Sequence, residues 1–277
     1  MIVRRVRPLL GTFVEVGFET IEQAGSASCL AQAFSAIGQI ETLLNGHAPD
    51  SELTQLNRRP GDWLPLHHHT RRVLRLGAIL GRLSGDRFNM TVGGELTRKG
   101  RLPCYVSHPY LDRGCHTDIE FRHNQVRLRR PVLLTLDGIA KGYAVDRAVC
   151  ALKQAGITRG WVNAGGDMRV FGQQRLSVHI RGLDGYHSPV GLSSGAVASS
   201  RLSKHWIADF PATLITATDS PVTGDDIITV WARFTWRADA LTKVAAGLDA
   251  ASAKEIIGQL KGKIVNAGTT APDVPVG

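Results

Sequence analysis

Two glycine-bearing stretches carry the residue types that could do chemistry. Residues 135–146 read T-L-D-G-I-A-K-G-Y-A-V-D. Gly138 and Gly142 let backbone come close to a ligand, and Lys141 brings a charge to a helix start. Backbone N–H groups and the helix dipole at such an end suit a phosphate. The plainer alternative is a buried strand turning into an amphipathic helix, with no ligand at all. Residues 161–172 read W-V-N-A-G-G-D-M-R-V-F-G. A strand running into Gly165, Gly166 and Asp167 can set bare backbone against a flat ring or a pyrophosphate. It can equally be a hairpin turn whose glycines supply positive φ.

Other chemically suggestive groups carry less. In His67-His68-His69, read as a strand, only the outer two rings share a face, and no acidic partner adjoins them. Cys104, His108, Cys115 and His116 match no zinc spacing and read as a loop with incidental thiols. Asp225 and Asp226 precede a strand and receive no role.

The elements that position these stretches alternate irregularly. A strand is expected at 12–18, a helix at about 24–44, a short capped helix at 51–57 and another helix at 70–83. Residues 96–115, with Pro103, Pro109 and Gly114, read as irregular. A strand follows at 126–136, a helix at 142–155, and strands at 161–162, 175–180 and 227–231. A helix at 238–248, then a terminal helix and strand, complete the order, and residues 269–277 read as a loose tail. Mixed order of this kind is α+β. The chain of 277 residues is 43% hydrophobic and 21% charged, enough for a core without staples.

Its net charge of +9 favours anionic partners, yet the basic residues are scattered apart from Arg4-Arg5-Arg7 and Arg127-Arg129-Arg130. No nucleic-acid partner is expected. The four cysteines form no CxxC pair, and no apolar run suits a signal peptide or a membrane span. A cytoplasmic protein with reduced thiols and no membrane insertion is expected.

Taken in order, these stretches resemble the FAD:protein FMN transferase family, also called the ApbE or thiamine-biosynthesis lipoprotein family. Arg7-Pro8-Leu9-Leu10-Gly11-Thr12 resembles its opening L/M-G-T strand, and Asp50-Ser51-Glu52-Leu53 with Leu56-Asn57 matches its D-S-E-L-x-x-L-N. Residues 85–96, G-D-R-F-N-M-T-V-G-G-E-L, resemble G-x-F-D-P-T-V-G-x-L. G-I-A-K-G-Y-A-V-D and N-x-G-G-D are the most specific matches. Ala196-Val197-Ala198-Ser199-Ser200 resembles A-V-A-T-S, and Ala238-Asp239-Ala240-Leu241-Thr242 resembles A-D-A-L-S/T.

The resemblance implies a T-fold-related α+β domain over 1–268, with mixed sheets, helices and a ligand cleft between two intimately packed subdomains. It implies FAD as substrate, Mg2+ on its pyrophosphate, and transfer of FMN to a Thr or Ser hydroxyl of an acceptor flavoprotein subunit, with AMP released. Two alternatives stand beside it: a non-catalytic FAD carrier or assembly factor, and a pyrophosphatase that splits FAD into FMN and AMP. Carried over by position, Leu10, Phe88, Asn89, Thr91, Gly138, Lys141, Gly165, Gly166, Asp167 and Ser199 would meet the cofactor. Ala140, Asp239 and Thr242 would hold the metal, and His205 would be the general base.

This chain departs from the family pattern at three places. Asn89 and Met90 replace an Asp and a Pro. Lys243 stands where the family has a metal-binding Thr; Thr242, three residues after Asp239, lies near it on a helix and keeps a weakened metal site within reach. Alternatively, Lys243 neutralises the pyrophosphate directly or pairs with Asp239. The family's H-x-x-D-P-x-T-G is altered, with His205 and Asp209 one residue too far apart and Pro221-Val222-Thr223-Gly224 following later.

Overall fold

The structure is a computed structural model that describes residues 1–21, 25–172, 176–182, 185–186, 190–202 and 226–265. The chain divides into two compact units. One, here the sheet unit, comprises Met1–Gly38 and Lys141–Gly277; the other, the middle unit, comprises Gln39–Ala140.

The chain opens with an antiparallel hairpin, β1 (Ile2–Leu9) and β2 (Thr12–Glu19), with Leu9 opposite Thr12. Leu10 and Gly11 join them at φ of 57° and 67°. Such a left-handed pair matches a two-residue turn to the twist of its strands. The L-G-T residues therefore form a turn and the start of the second strand, not an opening strand. Helix α1 (Ser26–Leu44) follows and buries Leu30, Ala33, Phe34, Ile37, Ile40 and Leu44, the helical spacing read from the sequence.

The middle unit holds α2 (Glu52–Arg58), β3 (Leu64–Pro65), α3 (His68–Leu83), α4 (Gly93–Arg98), β4 (Ile119–Arg122) and β5 (Gln125–Leu128). Strand β5 lies between β3 and β4 in an antiparallel sheet. The D-S-E-L-x-x-L-N residues act as fasteners. Ser51 Oγ caps α2 by accepting the Thr54 N–H at 3.1 Å, and Glu52 accepts the His67 N–H at 2.8 Å. Asn57 grips the backbone of Leu134 in both directions, at 2.8 and 3.0 Å.

Two expectations are corrected in this unit. The histidines lie on no strand: His67 caps α3 through its Nδ1, and His68 and His69 begin the helix. The strand expected over 126–136 stops at Leu128. Residues 132–136 are buried, but apart from a single parallel bridge between Leu111 and Val132 their backbone pairs with Asn57, Gly93 and Met90 and not with a neighbouring strand. Burial and satisfied backbone groups do not require a ladder.

Helix α5 (Ala140–Gln154) leads into the sheet unit, which continues with β6 (Gly160–Ala164), β7 (Asp167–Phe171), β8 (Leu176–Val178), β9 (Arg181–Gly182), β10 (Gly185–Tyr186), β11 (Val190–Leu192), β12 (Gly195–Leu202) and β13 (Asp226–Ala232). Helices α6 (Thr235–Ala245) and α7 (Ala250–Gln259) and strand β14 (Gly262–Ile264) end the described chain. The main sheet is antiparallel throughout, in the order β1-β2-β6-β7-β12-β13-β14. β8 pairs with β11, and β9 with β10. The tail expected at 269–277 lies outside the described residues. The fold is α+β, as the element order indicated.

Candidate functional site

Alternation along β12 decides what reaches helix α6. Ala196 and Ala198 of β12, Ala232 of β13 and Ala238 of α6 form one buried cluster of small side chains. Methyl groups at these positions let α6 settle closely onto the sheet. Val197 points to the other face, among Trp161, Val170 and Leu192. With a period of two, Ser200 shares the α6 face and Ser199 does not. Ser200 Oγ accordingly lies 2.6 Å from Thr242 Oγ1 of α6, whereas Ser199 bonds Thr229 across the ladder at 2.8 Å.

Four charged side chains gather on the α6 face. Lys141 Nζ of α5 is 3.2 Å from Asp167 Oδ2 of β7. Lys243 Nζ is 2.6 Å from Asp239 Oδ1, one helical turn before it on α6, and 2.9 Å from Ser200 Oγ. Asp239 Oδ2 accepts the Gly142 N–H at 3.3 Å. Both aspartates are buried, at 2% and 1% exposure for Asp167 and Asp239. Burial, and then repulsion from the Asp239 carboxylate, push Asp167 up to about 6, against the pull of Lys141 and Lys243. Asp167 Oδ2 accepts no well-angled hydrogen bond among the described residues, so its contact with Lys141 is one of charge.

One proton direction satisfies the hydroxyls beside this quartet. Lys243 donates to Ser200 Oγ, Ser200 donates to Thr242 Oγ1, and Thr242 donates to the Asp239 carbonyl at 2.7 Å. Each group in the chain polarises the next.

The glycines have separable reasons. A Cβ on Gly142 would lie 2.6 Å from the Thr235 carbonyl oxygen, so only glycine lets α5 come this close to the start of α6. Gly165 and Gly166, with φ of 57° and 100°, form a two-residue turn between Ala164 and Asp167. The hairpin alternative is thus realised locally, and the turn ends on the buried Asp167. Asn163 Oδ1 holds it by accepting the Gly166 N–H at 3.0 Å, and a Cβ on Gly165 would meet Thr12 Oγ1 at 2.6 Å.

The structure therefore brings Lys141, Asp167, Asp239 and Thr242 together, with the Gly165–Gly166 turn running directly into Asp167. Leu10 occupies the β1–β2 turn, two residues before Thr12, which Gly165 approaches. Ser199 stays on the opposite face. His205 lies outside the described residues, as do Asp209, the 221–224 segment and Asp225. Sequence reasoning gave no role to Ser200 or Asp146, although alternation from Ala196 was enough to point to Ser200.

In the middle unit, Phe88 is buried and Asn89 is part-buried. Asn89 Oδ1 accepts from the Thr91 N–H and hydroxyl at 2.8 and 2.6 Å, while its amide donates to the Gly114 carbonyl at 2.9 Å. Thr91 Oγ1 in turn accepts the Gly114 N–H at 3.0 Å. These two side chains strap down the 114 loop. Met90, in the place of a proline, packs into the space that Gly77 leaves on α3. Gly138 and Ala140 are part-buried, and Ala140 opens α5.

The expected metal ligands do not fit a divalent ion as these side chains stand. Magnesium asks for near-octahedral oxygen ligands at about 2.1 Å. Asp239 Oδ1 is held by an ammonium, its Oδ2 by a backbone N–H, and the Thr242 hydroxyl is spent between Ser200 and a carbonyl. Among the described residues, no three His, Cys, Asp or Glu side chains gather as a metal cluster.

Comparison with known proteins agrees with the fold. An ApbE protein from Thermotoga maritima superposes with a TM-score of 0.82 at 21% identity, over 96% of this chain and 94% of that one. The apo form of Pseudomonas stutzeri flavinyl transferase ApbE gives 0.79 at 19%, over 93% and 87%. Flavin transferase ApbE from Vibrio cholerae gives 0.76 at 18%, over 95% and 92%. No curated protein matches the sequence. The family model described as the ApbE family matches residues 10–266, nearly the whole chain; the chain belongs to the ApbE family.

Proposed function

We propose that this chain binds FAD beside the Lys141–Asp167–Asp239–Lys243 quartet and transfers its FMN half to a Thr or Ser hydroxyl of an acceptor flavoprotein. The acceptor oxygen bonds to the FMN phosphorus, the pyrophosphate P–O bond to AMP breaks, and the hydroxyl proton passes to a base. His205 is the proposed base, and a His205→Ala protein with full transfer would remove it from that role.

The observation that carries this reading is the gathering of two ammonium groups, Lys141 and Lys243, around the buried Asp167 and Asp239, with the Gly165–Gly166 turn running directly into Asp167. Phosphoryl transfer asks a protein mainly for positioning and for charge neutralisation at the departing oxygens. Lys141 and Lys243 offer the second. Asp167, with its affinity for protons raised to near neutrality, can take one up as a pyrophosphate arrives and so release Lys141 toward it. The flavinyl transferase of Pseudomonas stutzeri and the flavin transferase of Vibrio cholerae, which share this fold, support the same class of reaction.

Mass spectrometry of a candidate acceptor, incubated with this protein and FAD, tests the reading. A gain of one FMN on a Thr or Ser, with AMP in equal amount, is expected. Free FMN with AMP and no labelled acceptor identifies a pyrophosphatase, and FAD recovered intact identifies a carrier.

A further inference from the structure

We propose that Lys243 is a built-in counter-cation: its ammonium supplies the charge that a divalent ion would bring to the dinucleotide pyrophosphate, and this chain binds FAD without a metal. The inference rests on the FAD-binding reading above and deepens it.

Three observations carry it. The ammonium sits on the carboxylate that a metal would need, 2.6 Å from Asp239 Oδ1, and the i to i+4 spacing on α6 holds it there. Ser200 fixes it from the sheet at 2.9 Å, so it is placed by two elements and not by one flexible stem. Of its three N–H donors these contacts use two, and among the described residues the third has no partner and is available to a phosphate oxygen.

The second carboxylate of the quartet points the same way. Asp167 is buried, its Oδ2 accepts no well-angled hydrogen bond among the described residues, and it faces Lys141. Two carboxylates are thus met by two ammonium groups, and the quartet is neutral without an ion. An added divalent cation would find Asp239 already engaged, by the Lys243 ammonium at one oxygen and the Gly142 N–H at the other. An ammonium also differs from magnesium in kind: it gives directed hydrogen bonds and needs no shell of oxygen ligands.

Equilibrium titration of the whole protein decides the matter, following flavin fluorescence in excess EDTA and in millimolar magnesium. The wild-type affinity for FAD should agree between the two conditions within about twofold. Lys243→Thr should bind FAD at least ~10-fold more weakly in EDTA and regain most of that loss in magnesium. Calorimetric injection of magnesium into FAD-free protein should give no saturable heat with wild type and saturable heat with Lys243→Thr. The wild-type arms need no substitution and so do not depend on the variant folding. A wild-type affinity that rises ~10-fold or more with magnesium overturns the inference while leaving the proposed function in place. Saturable magnesium heat from FAD-free wild type does the same. FAD that fails to bind wild type in either buffer overturns both.

Discussion

The carboxylate of Asp146, on α5, accepts the backbone N–H groups of Thr235 and Trp236 at 3.0 Å each and so seats the first turn of α6. The Thr235 hydroxyl adds a third bond at 3.0 Å, and Arg169 of β7 adds a charged one at 2.5 Å. Phe234, the residue at the cap position, has no side-chain cap bond of its own. A carboxylate from another helix therefore satisfies donors that a helix end leaves open. Asp239 follows Thr235 by one turn, so the last residue of A-K-G-Y-A-V-D places a carboxylate of the charged quartet.

Removing that carboxylate should be costly. Asp146→Ala leaves the α6 donors open and takes the carboxylate from the part-buried Arg169, and should lower unfolding stability by about 2–4 kcal/mol in urea titration. A loss below ~1 kcal/mol would show that α6 is seated by packing alone.

Gly142→Ala tests the closeness of α5 to α6. The added methyl meets the Thr235 carbonyl oxygen at 2.6 Å, a backbone atom with little freedom to retreat. The expected cost is about 1–3 kcal/mol, read as a lower Tm by differential scanning calorimetry. An unchanged or higher Tm, as the usual preference of helices for alanine would give, contradicts the packing described.

The raised Asp167 gives stability a definite pH slope. In the folded chain the group holds its proton up to about 6, while unfolded it releases it near 3.8. Between those values the native state binds the extra proton, so this group's contribution is fully present below about 3.8 and is lost as pH rises through about 6. Denaturation of wild type and Asp167→Asn across that window isolates the effect, and the wild-type stability should fall relative to the variant as pH rises. Parallel curves would contradict the burial-driven shift.

The two serines of β12 separate the faces of the sheet. Ser200→Ala removes a bond to Lys243 and one to Thr242, and should weaken FAD binding by about 1 kcal/mol, or roughly fivefold. Ser199→Ala, on the opposite face, should bind FAD as wild type does. Equal losses in both would place the ligand elsewhere.

Much of the fold was legible because the apolar spacing is regular. The helix over Ser26–Leu44 and the strand over Thr12–Glu19 show nearly the limits their spacing suggested. Leu133 to Leu136 misled because burial looks the same in a strand as in a loop held by Asn57 and Met90. The histidine run misled because a cap is a geometric event at His67, which no periodicity marks. At the site, Lys141, Asp167 and Asp239 could be named from motif order, but their pairing could not. Lys243 Nζ meets Asp239 one helical turn away, the pairing that their spacing of four left open, and Ser200 joins them because β12 alternates. What needed the elements assembled is the meeting of α5, β7 and α6, which sets Lys141 against Asp167 beside Asp239.

The most direct measurement is a fluorescence titration of FAD with the purified wild-type protein and with Lys141→Met, each checked for folding by circular dichroism. Wild type should show saturable one-to-one binding, and the variant, which keeps the stem but loses the ammonium, should bind at least ~10-fold more weakly. Equal affinities, or a wild-type protein that leaves FAD fluorescence untouched, would contradict the placement of the dinucleotide at this cluster.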